Sequence, residues 1–486
     1  MVSSSASLLD QYLADRPESQ PGWEVVVRNE AHVLERLQCG QCDGLLPDDW
    51  LDPDDLMHFA LDLGALDRFA TLPDLRRRRT IPAALLGKVL LAGTLPDRAS
   101  LRQIGATVFQ SAVILDQLGV NYYYTREGGS RTGDERPFDV EALGDFLAWL
   151  APAHYTAHAQ TLAEWLRTQP ELAGATWALD CVDARIPKGR VKRGQTAETV
   201  HLKVAVLSVI TPQGALPLLW RFGTPEDGDI TLARPLWDDA VALWGAGVCQ
   251  TLLVDAGFID GAWLAKVHAQ GTIVITRLRD DMDPMVAARA YVAAHPDVDW
   301  QAMPVPKRPA GHERPVRRDI TGLTDWPGWE AFGQDLALCL VRDTYADGHI
   351  DLWGLMSTDP RAPVRTIYTD FGQRWQFEET YMALARYHHF NALPASRVGV
   401  ACARVHALLF AYTLRALCRE RQRQQQEANG GKTWRRRTPF LILYAGGYFG
   451  IFKPSAVLEV ILTHADVWRT RQAEILAAVR YCEGSG

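Results

Sequence analysis

Apolar residues recur at two different spacings along the chain. Between about residues 51 and 168 they recur at helical spacing, which predicts a mainly helical region. After about residue 172 the apolar runs have the length of strands. TWALDCVDARI, HLKVAVLSVIT and GALPLLWRF follow one another with polar or Gly/Pro segments between them, which predicts a meander of three strands.

Helical and strand-like runs then alternate. TLARPLWDDAVALWGA predicts a helix, CQTLLVDAGF a fourth strand, DGAWLAKVHAQ a second helix and GTIVITRLR a fifth strand. Three strands, helix, strand, helix, strand is the order of an RNase-H-like α/β domain. We therefore predict a multi-domain α/β protein in which Asp180 on the first strand and Asp255 at the end of the fourth converge on one edge of the sheet.

The remaining segments are less regular. From about residue 280 to 360 the helical pattern lapses, and short apolar runs predict a β-rich insertion. A long helix is expected from Val364 through RYHHF, and another from about Ser396 to Arg423. Near the N-terminus, ASLRQIGATVFQSAVILDQLGV fits either a helix-turn-helix or a plain pair of core helices.

Charge is unevenly distributed. The chain has 486 residues and a net charge of -7, but residues 1–75 alone hold fifteen Asp/Glu and four Lys/Arg, so the rest carries +4. Clustered cations are what phosphate contact requires, although solvated basic loops would look the same. The clusters are Arg76–Arg79; Arg185, Lys188, Arg190, Lys192 and Arg193; Lys307, Arg308, Arg314, Arg317 and Arg318; and Arg435–Arg437.

Several classes of protein are disfavoured. No stretch of about 18 uncharged apolar residues occurs, and the N-terminus lacks the pattern of a secretory signal. We expect a soluble, cytoplasmic protein that does not bind membranes. The eight cysteines are scattered, and only Cys39 and Cys42 form a CxxC pair, with no second pair to complete a structural zinc site.

Three acidic residues stand out by position. Asp180 and Asp255 end strand-like runs, and Glu378 lies on the helix expected after Val364. Phosphodiester chemistry on two divalent ions needs carboxylates from separate segments to hold the ions about 4 Å apart. Taken singly, each acid could equally be a turn cap or part of a solvated helix face.

Two neighbours of Glu378 carry chemistry of their own. Arg374 lies one helical turn upstream and can pair with the carboxylate or with a DNA phosphate. Trp375 offers a surface for base stacking or acts as a core anchor. Arg277 and Arg279 follow the fifth strand and are placed to reach phosphates, as are Lys188, Arg190, Lys192 and Arg193 after the first strand.

The segment FGQRWQFEETYMALA, residues 371–385, resembles the Y(2)R(3)E(6)K signature of bacterial cut-and-paste DDE transposases of the insertion-sequence-four type. Arg374 and Glu378 match its R and E at the right spacing. Asp180 in WALDCVD and Asp255 in LLVDAGF match the family's two aspartates. The long interval between Asp255 and Glu378 fits the β-strand insertion of this family.

The resemblance implies a catalytic and metal-binding triad of Asp180, Asp255 and Glu378 holding two Mg²⁺ or Mn²⁺ ions. It implies cleavage at the terminal inverted repeats of a mobile element and strand transfer into target DNA, with a homodimer in the synaptic complex and action at the bacterial nucleoid. The expected domains are a helical, DNA-binding 1–171, an RNase-H-like 172–395 with the insertion, and a helical 396–486.

Two positions depart from the signature. Phe371 stands in the tyrosine place and Ala385 in the lysine place, so two expected contacts with transposon-end phosphates are missing. These departures motivate a rival hypothesis, a catalytically impaired, transposase-derived DNA-binding protein. A metal-dependent nuclease without strand transfer is the second rival.

Overall fold

The structure is a computed structural model. It describes residues 24–25, 44–48, 51–77, 81–95, 100–108, 118, 140–188, 199–305, 314–388, 390, 395, 397–428, 440–445, 448–453 and 456–462. Within it the chain forms two compact units, one of residues 150–417 and one of residues 1–149 with 418–486. The division into three domains that we expected from the sequence remains a prediction.

In its described residues, the unit formed by the two chain ends begins with two strands that are followed by helices. Its first elements are β1 (Glu24–Val25), β2 (Gly44–Asp48), α1 (Leu51–Asp62), α2 (Ala65–Phe69), α3 (Ala83–Thr94), α4 (Leu101–Val108) and α5 (Val140–Ala148). Helices α3 and α4 approach closely, because a Cβ added to Gly93 would lie 2.2 Å from the side chain of Ile104. The second helix of the possible helix-turn-helix lies outside the described residues.

The central unit holds the elements expected for the core. They are α6 (Pro152–Leu166), β3 (Thr176–Pro187), β4 (Thr199–Thr211), β5 (Gly214–Gly223), α7 (Asp229–Trp244), β6 (Thr251–Val254), α8 (Gly261–Ala269), β7 (Ile273–Arg277), α9 (Asp283–Ala294), β8 (Gln301–Met303), β9 (Arg317–Trp326), β10 (Leu336–Thr344), β11 (Ile350–Ser357), α10 (Val364–Gln373), α11 (Trp375–Tyr387) and the part of α12 (Val398–Ala428) up to Leu417.

The strands of this unit form one mixed sheet of nine, in the order β5-β4-β3-β6-β7-β11-β10-β9-β8. Strands β3, β4 and β5 pair antiparallel, whereas β6 lies parallel to both β3 and β7. The first five strands therefore have the RNase-H-like arrangement, and the α/β fold class is confirmed. Apolar residues of β3 to β6 are buried on both faces, which explains why their sequence reads as continuous apolar runs.

The strands of the insertion extend the core sheet, because β11 pairs antiparallel with β7. The insertion differs from the expected one in one element, since it begins with a helix, α9, where we expected the helical pattern to lapse. Five of the twelve residues of α9 are alanine, and Pro284 occupies its first turn, so intrinsic helix propensity outweighs its weak periodicity.

The prediction of a single long helix after Val364 is wrong in one detail. The segment forms two helices, α10 and α11, separated at Arg374. Arg374 keeps helical backbone angles, and its N–H donates to the carbonyls of Gly372 and Phe371. The separation lies at the residue on which the candidate site depends.

The C-terminal region, which we expected to be helical, also contains strands. After α12 come β12 (Phe440–Ala445), β13 (Tyr448–Lys453) and β14 (Ala456–Leu462). With β1 and β2 they form a five-stranded sheet in the order β1-β14-β13-β12-β2. Among the described helices one segment, Val398–Gln424, is long and apolar enough to cross a membrane, but 94% of its apolar window is buried inside the protein, as in a core helix.

Candidate active site

The parallel pairing of β3 with β6 places two of the predicted acids side by side. The last paired residues are Leu179 and Val254, and each is followed directly by an aspartate, Asp180 or Asp255. Adjacent strands lie about 4.8 Å apart. At Asp255 the chain leaves the sheet in a short 3-10 turn, in which the Phe258 N–H donates to the Asp255 carbonyl at 3.1 Å.

Arg374 joins Asp180 to the third acid. Its Nη1 donates to Asp180 Oδ2 at 3.2 Å, and its Nη2 donates to Glu378 Oε1. The side chain of Arg374 is 15% exposed, that of Asp180 21% and that of Glu378 33%, so water competes only partly with these contacts. The i,i+4 spacing predicted the second contact, whereas the first joins residues 194 positions apart.

The environment of Asp180 disfavours its charged form. Burial raises the pKa of this carboxyl to about 6, and the nearby carboxylates of Asp255 and Asp229 act in the same direction. Arg374 and the Cys181 N–H, which donates to Asp180 Oδ1 at 2.8 Å, lower it by less. The raised pKa of Asp180 therefore comes chiefly from burial, and a cation bound beside the carboxyl would favour its ionised form.

A cavity of about 300 Å³ opens beside these acids. It combines three cations, two acids and two aromatic rings in one enclosure. The lining residues are Asp255, Arg277, Arg318, Asp351, Trp353, Phe371 and Arg374. Guanidinium groups next to aromatic faces are the groups that bind phosphates and bases of a nucleic acid strand.

The insertion supplies the far wall of this cavity. Arg318 donates to both carboxylate oxygens of Asp343 at 2.6 and 2.5 Å, and to the Tyr368 hydroxyl at 3.0 Å. The Trp353 indole N–H donates to the same Asp343 at 3.2 Å, and the Arg277 guanidinium lies 5.4 Å from the Trp353 ring. A buried ion pair thus fixes Trp353 and ties the insertion strands to α10.

Sequence reasoning missed part of this wall. Arg318 belonged to a basic cluster that the sequence had marked, but Asp351 and Trp353 gave no signal beyond an apolar run. Two other tryptophans of the insertion, Trp326 and Trp329, pack on Tyr291 and Phe332 and do not line the cavity.

The predicted DNA-contacting residues divide into three groups. Arg277 and Arg374 line the cavity. Three others lie outside it: Trp375 is 49% exposed, Arg279 pairs with Asp281 at 3.6 Å, and Lys188 is exposed just after β3. Arg190, Lys192 and Arg193 lie outside the described residues. DNA contact by these residues stays a prediction.

The donor set fits a divalent ion by its chemistry. Carboxylate oxygens are the ligands that Mg²⁺ and Mn²⁺ prefer, and Asp180 and Glu378 already share one cation, the Arg374 guanidinium. Among the described residues, no group of three or more His, Cys, Asp or Glu side chains is arranged to hold a metal ion. A metal site here would therefore need Arg374 and the acids to rearrange.

Comparisons with known proteins do not assign the chain to a family. No protein-family model matches the chain, and no curated protein matches it. Among solved structures, the chain is similar to a piggyBac transposase in a synaptic complex with hairpin DNA, with a TM-score of 0.39 and 10% identity over 81% of this chain and 80% of that one. A likeness at this level carries no argument about function.

Proposed function

We propose that the protein is a metal-dependent DNA transposase of the DDE type. The observation that carries the proposal is the meeting of three acids from separate segments: Asp180 and Asp255 directly follow the last paired residues of two parallel strands, and Arg374 links Asp180 to Glu378. The cavity beside them, with its arginines and aromatic rings, supports DNA as the substrate. Asp180, Asp255, Arg374 and Glu378, which form this arrangement, are also the residues that resemble those of the transposase family.

Each group has a distinct role in this proposal. Asp180, Asp255 and Glu378 would hold two Mg²⁺ or Mn²⁺ ions, which supply Lewis-acid activation of water and stabilise the leaving 3′-oxygen. Arg277 and Arg374 bind phosphates of the strand to be cut. Trp353, fixed by Asp343, presents a ring to that strand. The proposed substrates are terminal inverted repeats and target DNA, and the proposed synaptic complex is a homodimer.

The first experiment tests cleavage. A supercoiled plasmid carrying the coding region with its genomic flanks is incubated with the protein and Mg²⁺ or Mn²⁺. We expect nicking by the wild type and a loss of at least about a hundredfold in Asp180→Asn, Asp255→Asn and Glu378→Gln, since each removes a metal-binding carboxylate. Asp239→Asn is the matched control, because Asp239 pairs with Arg221 outside the cavity.

The outcomes separate the hypotheses. Nicking by Asp180→Asn at the wild-type rate would overturn the assignment of the site. A wild type that binds the flanks without nicking them would favour the transposase-derived DNA-binding protein. Incubation with a pre-cleaved end that carries a free 3′-hydroxyl distinguishes a transposase from a nuclease without strand transfer. A transposase joins that end to target DNA, and such a nuclease does not.

A further inference from the structure

We propose that Arg374 couples divalent-ion binding to DNA binding by exchanging the carboxylates of Asp180 and Glu378 for a DNA phosphate. The inference rests on the proposed function and concerns how its two ligands, metal and DNA, affect each other. It makes Arg374 a switch between two partners and not only a phosphate contact.

The first step is competition at the carboxylates. Arg374 uses one nitrogen on Asp180 Oδ2 and the other on Glu378 Oε1, so a single guanidinium neutralises both acids. A divalent ion held by Asp180 and Glu378 needs oxygens of these same groups, and charge repulsion disfavours a guanidinium beside it. Ion binding therefore displaces Arg374, and the ion pairs that are lost weaken the apparent ion affinity.

The second step is the destination of the displaced side chain. Arg374 lines the cavity together with Arg277 and Arg318, so a phosphate bound there lies within reach of its guanidinium. Arg318 is already committed to Asp343, which leaves Arg374 and Arg277 to bind the phosphate. A guanidinium binds phosphate in the same bidentate manner as it binds carboxylates.

The third step follows from linkage. A metal ion that releases Arg374 makes it available for DNA, and DNA that holds Arg374 makes the carboxylates available for metal. Because coupling between two ligands is reciprocal, each must raise the affinity of the other by the same factor. Metal binding is then strong only when DNA is in place.

Arg277 provides a matched control within the same cavity. It carries the same charge and also lines the cavity, but its guanidinium lies on the Trp353 ring and forms no ion pair with Asp180 or Glu378. Arg277→Gln removes a positive charge without removing the competition. An effect seen in Arg374→Gln and not in Arg277→Gln therefore reports the ion pairs of Arg374 with Asp180 and Glu378, and not the loss of a positive charge from the cavity.

The experiment measures the two affinities separately on the full chain. Mn²⁺ binding without DNA is followed by the electron paramagnetic resonance signal of the free ion. Arg374→Gln should bind Mn²⁺ about tenfold more tightly than wild type, because charged hydrogen bonds of this kind are worth about one power of ten. Arg277→Gln should change the affinity by less than about threefold. Arg374→Lys, whose single ammonium bridges the acids less well, should lie between Arg374→Gln and wild type.

DNA affinity is then measured by fluorescence anisotropy of a labelled duplex that carries the flanking sequence, with and without Mn²⁺. Mn²⁺ should tighten DNA binding by the wild type and by Arg277→Gln, and should not tighten binding by Arg374→Gln. Circular dichroism verifies that each variant is folded.

Two results would overturn the coupling. In the first, Arg374→Gln and Arg374→Lys bind Mn²⁺ no more tightly than wild type does. In the second, Mn²⁺ tightens DNA binding equally in wild type and in Arg374→Gln. If the plasmid is nicked while either result holds, only the coupling fails. If no protein binds Mn²⁺ and the plasmid is not nicked, the proposed function fails with it.

Discussion

The guanidinium of Arg374 links two acids of the candidate site without fixing their charge. It contacts both Asp180 and Glu378, yet burial and the neighbouring acids still raise the pKa of Asp180 to about 6. The ionised carboxylate is therefore less stable in the folded protein than in the unfolded chain. Sites that must bind a cation commonly keep such charges at a cost in stability.

This cost can be measured by replacing Asp180. Between pH 4 and about 6 the folded protein keeps a proton that the unfolded chain has lost, so stability falls as pH rises through this window. Asp180→Asn has no such proton. We expect the variant to be more stable than wild type by about 2 kcal/mol at pH 7.5, since one pKa unit corresponds to about 1.4 kcal/mol and partial solvent contact reduces the effect.

Urea unfolding at pH 7.5 and at pH 4 provides the measurement, and the gain should disappear at the lower pH. Asp260→Asn is the control with the opposite sign. Burial alone would raise the pKa of Asp260, but the Trp263 N–H and Arg234 hold it lower, so its replacement should destabilise the protein. A less stable Asp180→Asn at pH 7.5 would contradict the assigned electrostatics.

Two structural elements assemble the site, and the sequence predicted them unequally. The β3–β6 pairing was predictable, because both strands contain apolar runs and each run is followed directly by an aspartate, Asp180 or Asp255, although β3 itself continues to Pro187. The contact between Arg374 and Asp180 was not, since it depends on how α10 and α11 pack against the sheet. The cavity wall was not predictable either, because antiparallel pairing of β11 with β7 brings together residues that are distant along the chain.

Another packing element has a consequence for acid stability. Helices α6 and α12 meet β5 at a buried network in which the Trp220 indole N–H donates to His406 Nδ1 at 2.9 Å. His406 Nε2 and His158 Nδ1 lie 2.7 Å apart. Because His406 Nδ1 accepts, its proton lies on Nε2 and is donated to His158. Protonation of His406 would remove the acceptor for Trp220.

Burial, followed by the neighbouring His158, holds the pKa of His406 well below its usual range. The unfolded chain takes up a proton below about pH 6.5 and the folded protein does not, so stability is full above that pH and falls below it. We expect His406→Asn, which keeps an acceptor near Nδ1, to lose less stability than wild type between pH 7.5 and 5.5. Urea unfolding across this range checks it, and equal slopes for the two proteins would contradict it.

At the scale of the whole molecule, local patterns predicted the core order but not the pairing of distant segments. Strands β1 and β2 pair with β14 and β12, more than 390 residues away in the chain. No periodicity within a segment encodes such a partner, because strand pairing is chosen by the fold as a whole. The helix α9 was missed for the opposite reason, since its alanine-rich composition was a local signal that periodicity alone did not register.

Charge distribution is the property of the whole chain that bears most directly on DNA. The net charge of -7 disfavours DNA, but phosphate affinity depends on local cations and the ions they release. We expect DNA affinity to fall steeply with salt, and Arg277→Gln to weaken binding to all sequences while reducing the slope of log K against log salt by about 1. Anisotropy titrations at several salt concentrations measure this slope.

Arg221→Gln is the control for this experiment. Arg221 lies on β5, at the far edge of the sheet from the cavity, and pairs with Asp239 at 2.7 Å. It therefore has no phosphate to bind in this arrangement, and its replacement should leave the slope unchanged. Equal losses in the two variants would mean that the long-range field of the protein, and not the cavity, determines its affinity for DNA.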